Sequence, residues 1–161
     1  MKFSAQEEYG LRCLLQIGRQ AEKGSLTIPA ISSAEGLSAP YVAKLMRVLR
    51  QGGFVQSTRG QVGGYVLSRP PEQIVIGEVL ALLGGRFYEP EFCERYPGNE
   101  KICTHTVDCS VRSLWSAVQG VIDRVLSKTT LQDLLGNEQE TFSLVNNLVQ
   151  LEEIPTRPPI C

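Results

Sequence analysis

Histidine is almost missing from this chain: one residue, His105, in 161. With it go most arrangements in which an imidazole acts as general base or completes a catalytic triad. No glycine-rich phosphate loop follows a strand pattern and no nucleophile motif is present, so an enzyme is not expected. No apolar run approaches the ~20 residues that cross a bilayer. The first residues, Met1-Lys2-Phe3-Ser4-Ala5-Gln6-Glu7-Glu8, turn polar and acidic where a signal peptide turns apolar. A cytoplasmic location is therefore expected. The five cysteines then sit in a reducing compartment, where metal, cluster or redox sensing outweighs disulfides.

What the chain does contain is a split charge. Residues 1–69 carry nine Lys/Arg against four Asp/Glu, and residues 70–161 carry seven against thirteen. The first part is net +5 and the second net −6, a contrast hidden by the overall −1. A basic part joined to an acidic part that holds three clustered cysteines reads as a nucleic-acid-binding module wired to a sensor.

Periodicity predicts a mainly α chain with one small β-hairpin. Residues 4–22 form an amphipathic helix with Leu11, Leu14, Leu15 and Gly18 on one stripe and Ser4 as N-cap. Thr27 caps a short second helix, with Pro29 in its first turn and Gly36 as its stop. Ser38 caps a third helix to about Gln51, burying Tyr41, Leu45, Val48 and Leu49 and leaving Ala43, Lys44, Arg47 and Gln51 outside. Two short helices meeting at a glycine-containing turn are a helix-turn-helix signature. Strands over 54–58 and 65–68, joined by a glycine-rich loop, add a wing.

The rest divides by composition. Pro70-Pro71 separates the halves, a short helix spans 74–83, and 84–109 is an irregular sensor loop with Cys93, Cys103 and Cys109. From Ser110, the residues Val111, Leu114, Trp115, Val118, Val121, Ile122, Val125 and Leu126 recur at three and four, a helix with a continuous apolar seam. Trp115, lying in that seam, is expected to pack in a core. Thr130 caps a last short helix to Leu135, and 136–161 is expected to be a mobile tail. The resulting units are 1–69, 70–109, 110–135 and 136–161.

A recognition helix needs an apolar face to dock it and a polar face narrow enough for a major groove. The third helix offers both. Ser38 and Tyr41 lie near its N-terminus, where hydroxyls and backbone N–H groups hold phosphate. Lys44 and Arg47 lie one turn apart on the exposed face, followed by Arg50, and an arginine can read guanine bidentately. Arg59 and Gln61 at the wing tip can reach backbone or minor groove, with glycine neighbours that permit close approach. A solvated basic helix would show Lys44 and Arg47 too. The order of helices, the wing and the +5 charge favour DNA. Tyr65, in the wing, is expected to pack rather than touch a base.

Several segments resemble the Rrf2 family of bacterial transcription regulators. They are Met1-Lys2-Phe3-Ser4, the helix from Leu37 to Leu49, Thr58-Arg59-Gly60-Gln61-Val62-Gly63-Gly64-Tyr65-Val66-Leu67 and Ile76-Gly77-Glu78-Val79. The likeness runs from residue 1 to about 135. Its wing, Arg-Gly-x-x-Gly-Gly-Tyr, is the most specific part, with Val62 where the family has glycine. The resemblance implies a homodimeric winged-helix repressor or activator on a pseudo-palindromic operator, with the long helix after the cysteines as the dimerisation element.

For the cysteines the residues leave three chemistries open: an iron–sulfur cluster, zinc with His105, or a metal-free thiol switch. The resemblance favours a cluster, [2Fe-2S] ahead of [4Fe-4S], held by Cys93, Cys103 and Cys109. The IscR-like branch has a histidine three positions after the third cysteine. That position here is Arg112, whose guanidinium has no lone pair to offer. The NsrR-like branch uses an N-terminal carboxylate of the partner subunit, which matches Glu8, with Glu7 and His105 as alternatives. Without that role, Glu7 and Glu8 simply suit a helix N-terminus. Cys13 reads as a packing residue, and Cys161 as incidental.

Overall fold

A computed structural model describes residues 4–58, 60, 63–89, 91–96, 103, 105 and 108–150. Helix α1 (Ala5–Arg19) begins at a capping box. Ser4 Oγ accepts from Glu7 N at 3.2 Å, and Ser4 N donates to Glu7 Oε2 at 2.8 Å. These exchanges satisfy two backbone donors that a helix start leaves open. Cys13, Leu14 and Ile17 point into the core.

Helix α2 (Ile28–Glu35) starts on Thr27, whose Oγ1 accepts from Ala30 N at 3.3 Å. It stops at Gly36, where φ of +65° is the left-handed conformation that favours glycine. Helix α3 (Ala39–Gln51) follows three residues after α2, past Gly36, Leu37 and Ser38, completing the helix-turn-helix.

Strands β1 (Val55–Thr58) and β2 (Gly64–Leu67) pair antiparallel, with Val55 opposite Leu67 and Thr58 opposite Gly64. Leu26 bridges to Tyr65 on the outer side of β2. A Cβ on Gly64 would lie 2.7 Å from the Leu26 carbonyl oxygen, so this close approach requires glycine.

Helix α4 (Ile76–Gly84), the short α5 (Phe92–Arg95), the long α6 (Ser110–Lys128), α7 (Leu131–Leu135) and α8 (Glu138–Gln150) follow. The chain returns to its core after α6. Ile76 N donates to Thr129 O at 2.9 Å and Leu131 N to Ile74 O at 2.8 Å, fixing the start of α7 beside the strand-like entry to α4. One cluster of buried side chains joins Leu14, Ile31, Leu45, Leu49, Val79 and Leu131, so the core runs across position 69. No described helix is long and apolar enough to cross a membrane.

Three features differ from the expectation. Within the irregular loop expected over 84–109, Phe92–Arg95 form a single helical turn, with Tyr96 N donating to Phe92 O at 3.1 Å. Where a mobile tail is expected over 136–161, Glu138–Gln150 is helical. Asn137 and Glu140 supply the missed start signal: Glu140 N donates to Asn137 Oδ1 at 2.9 Å, and Asn137 N donates to Glu140 Oε2 at 3.2 Å. Trp115 is not in the core of this chain. It is 39% exposed, its ring edge-on to Phe87 with centroids 5.9 Å apart. Among the described residues α6 packs on α4 and α8, with Leu126 against the core, while Val111 (58%) and Leu114 (55%) near its start are exposed with Trp115.

Candidate nucleic-acid interface and cysteine segment

Helix α3 is docked by Val42, Leu45, Met46 and Leu49, all fully buried. The buried arc is wider than the expected stripe. It takes in Val42 and Met46, because α1, α2, β1 and α4 all pack on α3. Ser38, Lys44, Arg47 and Arg50 are exposed on the remaining face, with Gln51 beside them. Lys44 and Arg47 are three residues apart and therefore neighbours on the helix surface.

Two expected contacts take a more specific form. Ser38 occupies the N-cap position, but its hydroxyl makes no capping hydrogen bond, and Pro40 starts the first turn. That exposed hydroxyl is not committed to the helix. Tyr41 is half-buried, its ring packed on Tyr9 of α1. In the wing, Thr58 Oγ1 accepts from Gly64 N at 3.1 Å, and Gly63 N donates to Gly60 O at 3.0 Å, closing the turn. Tyr65 packs against the core as a partly buried residue. Arg59 and Gln61 lie outside the described residues.

The cysteine segment lies on the opposite side of the sequence's charge divide. Cys93, in α5, is half-buried with Sγ 3.9 Å from the Tyr88 hydroxyl. Cys109 is the N-cap of α6, its sulfur accepting from Arg112 N at 3.4 Å. Cys103 is half-buried between them in sequence. His105 is exposed. Glu8 is exposed in the first turn of α1, whereas Glu7 is taken up by the capping box with Ser4. Cys161 lies outside the described residues.

Among the described residues no group of three or more His, Cys, Asp or Glu side chains is placed to hold a metal ion. Cys93, Cys103, Cys109, Glu8 and His105 are all described, so as they stand they do not compose a ligand set for a cluster or for zinc. Cys13 is set apart from them, fully buried against the core. Burial pushes its thiol up to about 11, and the Glu35 carboxylate adds in the same direction. A neutral, inaccessible thiol is a packing group.

One polar site was not foreseen. Tyr88 N donates to Gln119 Oε1 at 2.7 Å in a buried bond, and Gln119 Nε2 donates to Asp123 Oδ1 at 2.7 Å. The other Asp123 oxygen takes the Arg86 guanidinium. The available signal was a glutamine at 119, next to seam position Val118 on a helix otherwise read for its apolar residues.

Between α4 and α6 runs a cleft of about 960 Å³, lined by Leu80, Ala81, Phe87, Val121, Ile122 and Val125. Its apolar walls continue into the exposed seam of α6.

Known proteins share this arrangement. Residues 3–137 match the Rrf2 family, described as "Iron-dependent Transcriptional regulator". The chain is 33% identical over 135 residues to protein rrf2 of Nitratidesulfovibrio vulgaris, covering 84% of this chain and 87% of that protein. Two solved structures superpose well. T. potens IscR has a TM-score of 0.66 and 32% identity, covering 84% of this chain and 86% of that one. CymR, "the Global Cysteine Regulator of B. subtilis", has a TM-score of 0.64 and 28% identity, covering 84% and 96%.

Proposed function

This chain belongs to the Rrf2 family of DNA-binding transcription regulators, and on that premise we propose that it is a cytoplasmic homodimeric repressor. Its hold on a pseudo-palindromic operator is set by the chemistry of its cysteine segment, and it binds rather than catalyses. The observation that carries the DNA surface is the face of α3. Four fully buried side chains dock one side of the helix, and Ser38, Lys44, Arg47 and Arg50 stand exposed on the other. Lys44 and Arg47 are assigned to base edges or phosphate, Ser38 and Tyr41 to phosphate at the helix start, and Arg50, Arg59 and Gln61 to the flanking backbone.

The dimer follows from the seam. A cleft of about 960 Å³ beside α6 and the exposed Val111, Leu114 and Val121 form an apolar surface that the described residues leave open. A second copy of α6 covers it and spaces two recognition helices for two half-sites.

For the sensor, the family resemblance supports an iron–sulfur cluster on Cys93, Cys103 and Cys109, with Glu8 of the partner subunit as the oxygen ligand. When bound, such a cluster supplies redox and nitric-oxide reactivity. Since the described thiols are not gathered, ligation requires the segment to close. A second reading, a cluster-free thiol switch, is favoured by the Cys109 sulfur at the start of α6, held by a backbone N–H.

Two measurements test these readings. Binding to duplexes selected from a random library is expected to weaken steeply with salt. Failure to bind any duplex at low ionic strength overturns the regulator reading for this chain. The visible spectrum of anaerobically purified protein then separates the two sensors. Broad charge-transfer bands support the cluster, and a colourless, metal-free protein supports the thiol switch.

A further inference from the structure

We propose that Gln119 is the residue through which α6 reads the state of the Cys93 sulfur, by way of Tyr88. The inference rests on the reading of the cysteine segment as sensor, and it identifies the part of the scaffold that responds.

Among the described residues from Gly84 to Tyr96, Tyr88 alone is buried, at 7% exposure; within α6, Gln119 alone is, at 5%. The two are each other's partner through the 2.7 Å bond from Tyr88 N to Gln119 Oε1. On one side of this bond the Tyr88 hydroxyl faces Cys93 Sγ at 3.9 Å, and its ring lies against Phe92, with centroids 6.2 Å apart. On the other side Gln119 Nε2 holds Asp123 one turn along α6, and Asp123 holds Arg86. Residues 86 and 88 thus clasp a single turn of the long helix, and the Tyr88 hydroxyl that faces Cys93 also hydrogen-bonds Ser116 of α6.

A buried glutamine is costly unless its amide is paired. Here its oxygen accepts from Tyr88 and its nitrogen donates to Asp123. Networks of this kind specify one arrangement of the elements they join. A cap, bond or ligand on the Cys93 sulfur needs room beside the Tyr88 ring. A shift of Tyr88 as a whole, backbone included, disturbs its buried N–H bond to Gln119. The segment and α6 therefore move together or the clasp opens, and α6 carries the change to the paired recognition helices.

The test compares operator affinity of the full-length dimer before and after its exposed thiols are capped with N-ethylmaleimide, using a duplex from the selection above. In wild type, capping is expected to change affinity within the roughly 5- to 150-fold range of ordinary allosteric coupling, and Cys93→Ser is expected to abolish the change. In Gln119→Leu the uncapped affinity stays and the ratio between the two states falls towards one. Should Gln119→Leu fail to fold, Tyr88→Phe decides. It keeps the ring and the backbone N–H but lacks the hydroxyl that meets both Cys93 and Ser116, and it is expected to lower the ratio in the same direction. A purely structural role would shift affinity equally in both states and leave the ratio intact; that result, or a wild-type ratio in the deciding variant, overturns the proposal. A wild type indifferent to capping instead sinks the sensor reading, and the coupling with it.

Discussion

Tyr9 of α1 meets Tyr41 of α3 edge to face, ring centroids 6.1 Å apart and planes at 84°. One turn along α1, the Arg12 guanidinium lies 5.5 Å from the Tyr9 ring, and its Nε donates to Glu35 of α2 at 2.6 Å. Gln16 Nε2 donates to the other Glu35 oxygen at 2.6 Å. Residues 9, 12 and 16 occupy one face of α1. Through them the first helix holds both members of the helix-turn-helix, and it also carries Glu8. Tyr41, near the N-terminus of α3, is thereby a fixed point rather than a free side chain.

The edge-on pair sets a measurable coupling. Tyr9→Leu and Tyr41→Leu are each expected to lower stability in urea unfolding, with an interaction of about 0.5–1.5 kcal/mol between them in the double mutant. Costs that simply add mean that the rings do not act as a pair.

Such side-to-side relationships were the least legible part of the sequence. The helices, their caps at Ser4, Thr27 and Thr130, and the hairpin follow from local chemistry that needs no neighbour, and the structure has them. Burial on α3 was legible only in part. The stripe of Leu45 and Leu49 is local, but Val42 and Met46 are buried because four elements pack on the same helix. Gly64 reads in sequence as a wing glycine, while its physical reason is the Leu26 carbonyl from a segment far back in the chain. The pairing of Tyr88 with Gln119 spans 31 residues and has no periodic signature. For the cysteines, types and spacing were legible, but convergence depends on how the segment folds, which spacing does not encode.

On the DNA surface, Arg47→Ala is expected to cost about 1–3 kcal/mol of operator affinity and to relax selectivity at one base position. Lys44→Ala, if it serves phosphate, weakens all sequences alike and reduces the salt slope by about one. Arg59→Ala is expected to weaken binding as well. Lys44 and Arg47 are exposed, so the thermal midpoints of their variants should stay near wild type. Anisotropy titrations at several salt concentrations check all three, and unchanged affinity in all of them removes this face from contention.

Cys13 predicts a pH dependence of stability. Its folded value, pushed to about 11 by burial, lies above the ordinary 9.0. Between those values the unfolded chain has lost the thiol proton and the folded chain keeps it. Stability therefore falls as pH rises through this window, and the thiol contributes no pH dependence below it. Cys13→Ala removes that slope, so the difference between wild-type and variant thermal midpoints should shrink as pH rises from 9.0 to about 11. The folded protein should also leave Cys13 unlabelled under conditions that alkylate Cys93 and Cys109. Rapid labelling of Cys13 in folded protein contradicts its burial.

The seam of α6 yields the last prediction. Val111, Leu114 and Val121 are 58%, 55% and 45% exposed in a single chain, on a helix whose apolar residues recur with core-like spacing. If a second copy covers them, folding and association are linked, and the thermal midpoint of wild type rises with protein concentration. Leu114→Glu places a charge where the covering surface is apolar, and burying an unpaired carboxylate is prohibitive. The variant should sediment as a monomer, with a concentration-independent midpoint. A monomer presents one recognition helix to a two-half-site operator, so its affinity should fall towards that for a single half-site, while its α3 surface and non-specific salt-dependent binding persist. Wild type that sediments as a monomer at every concentration rules out this interface.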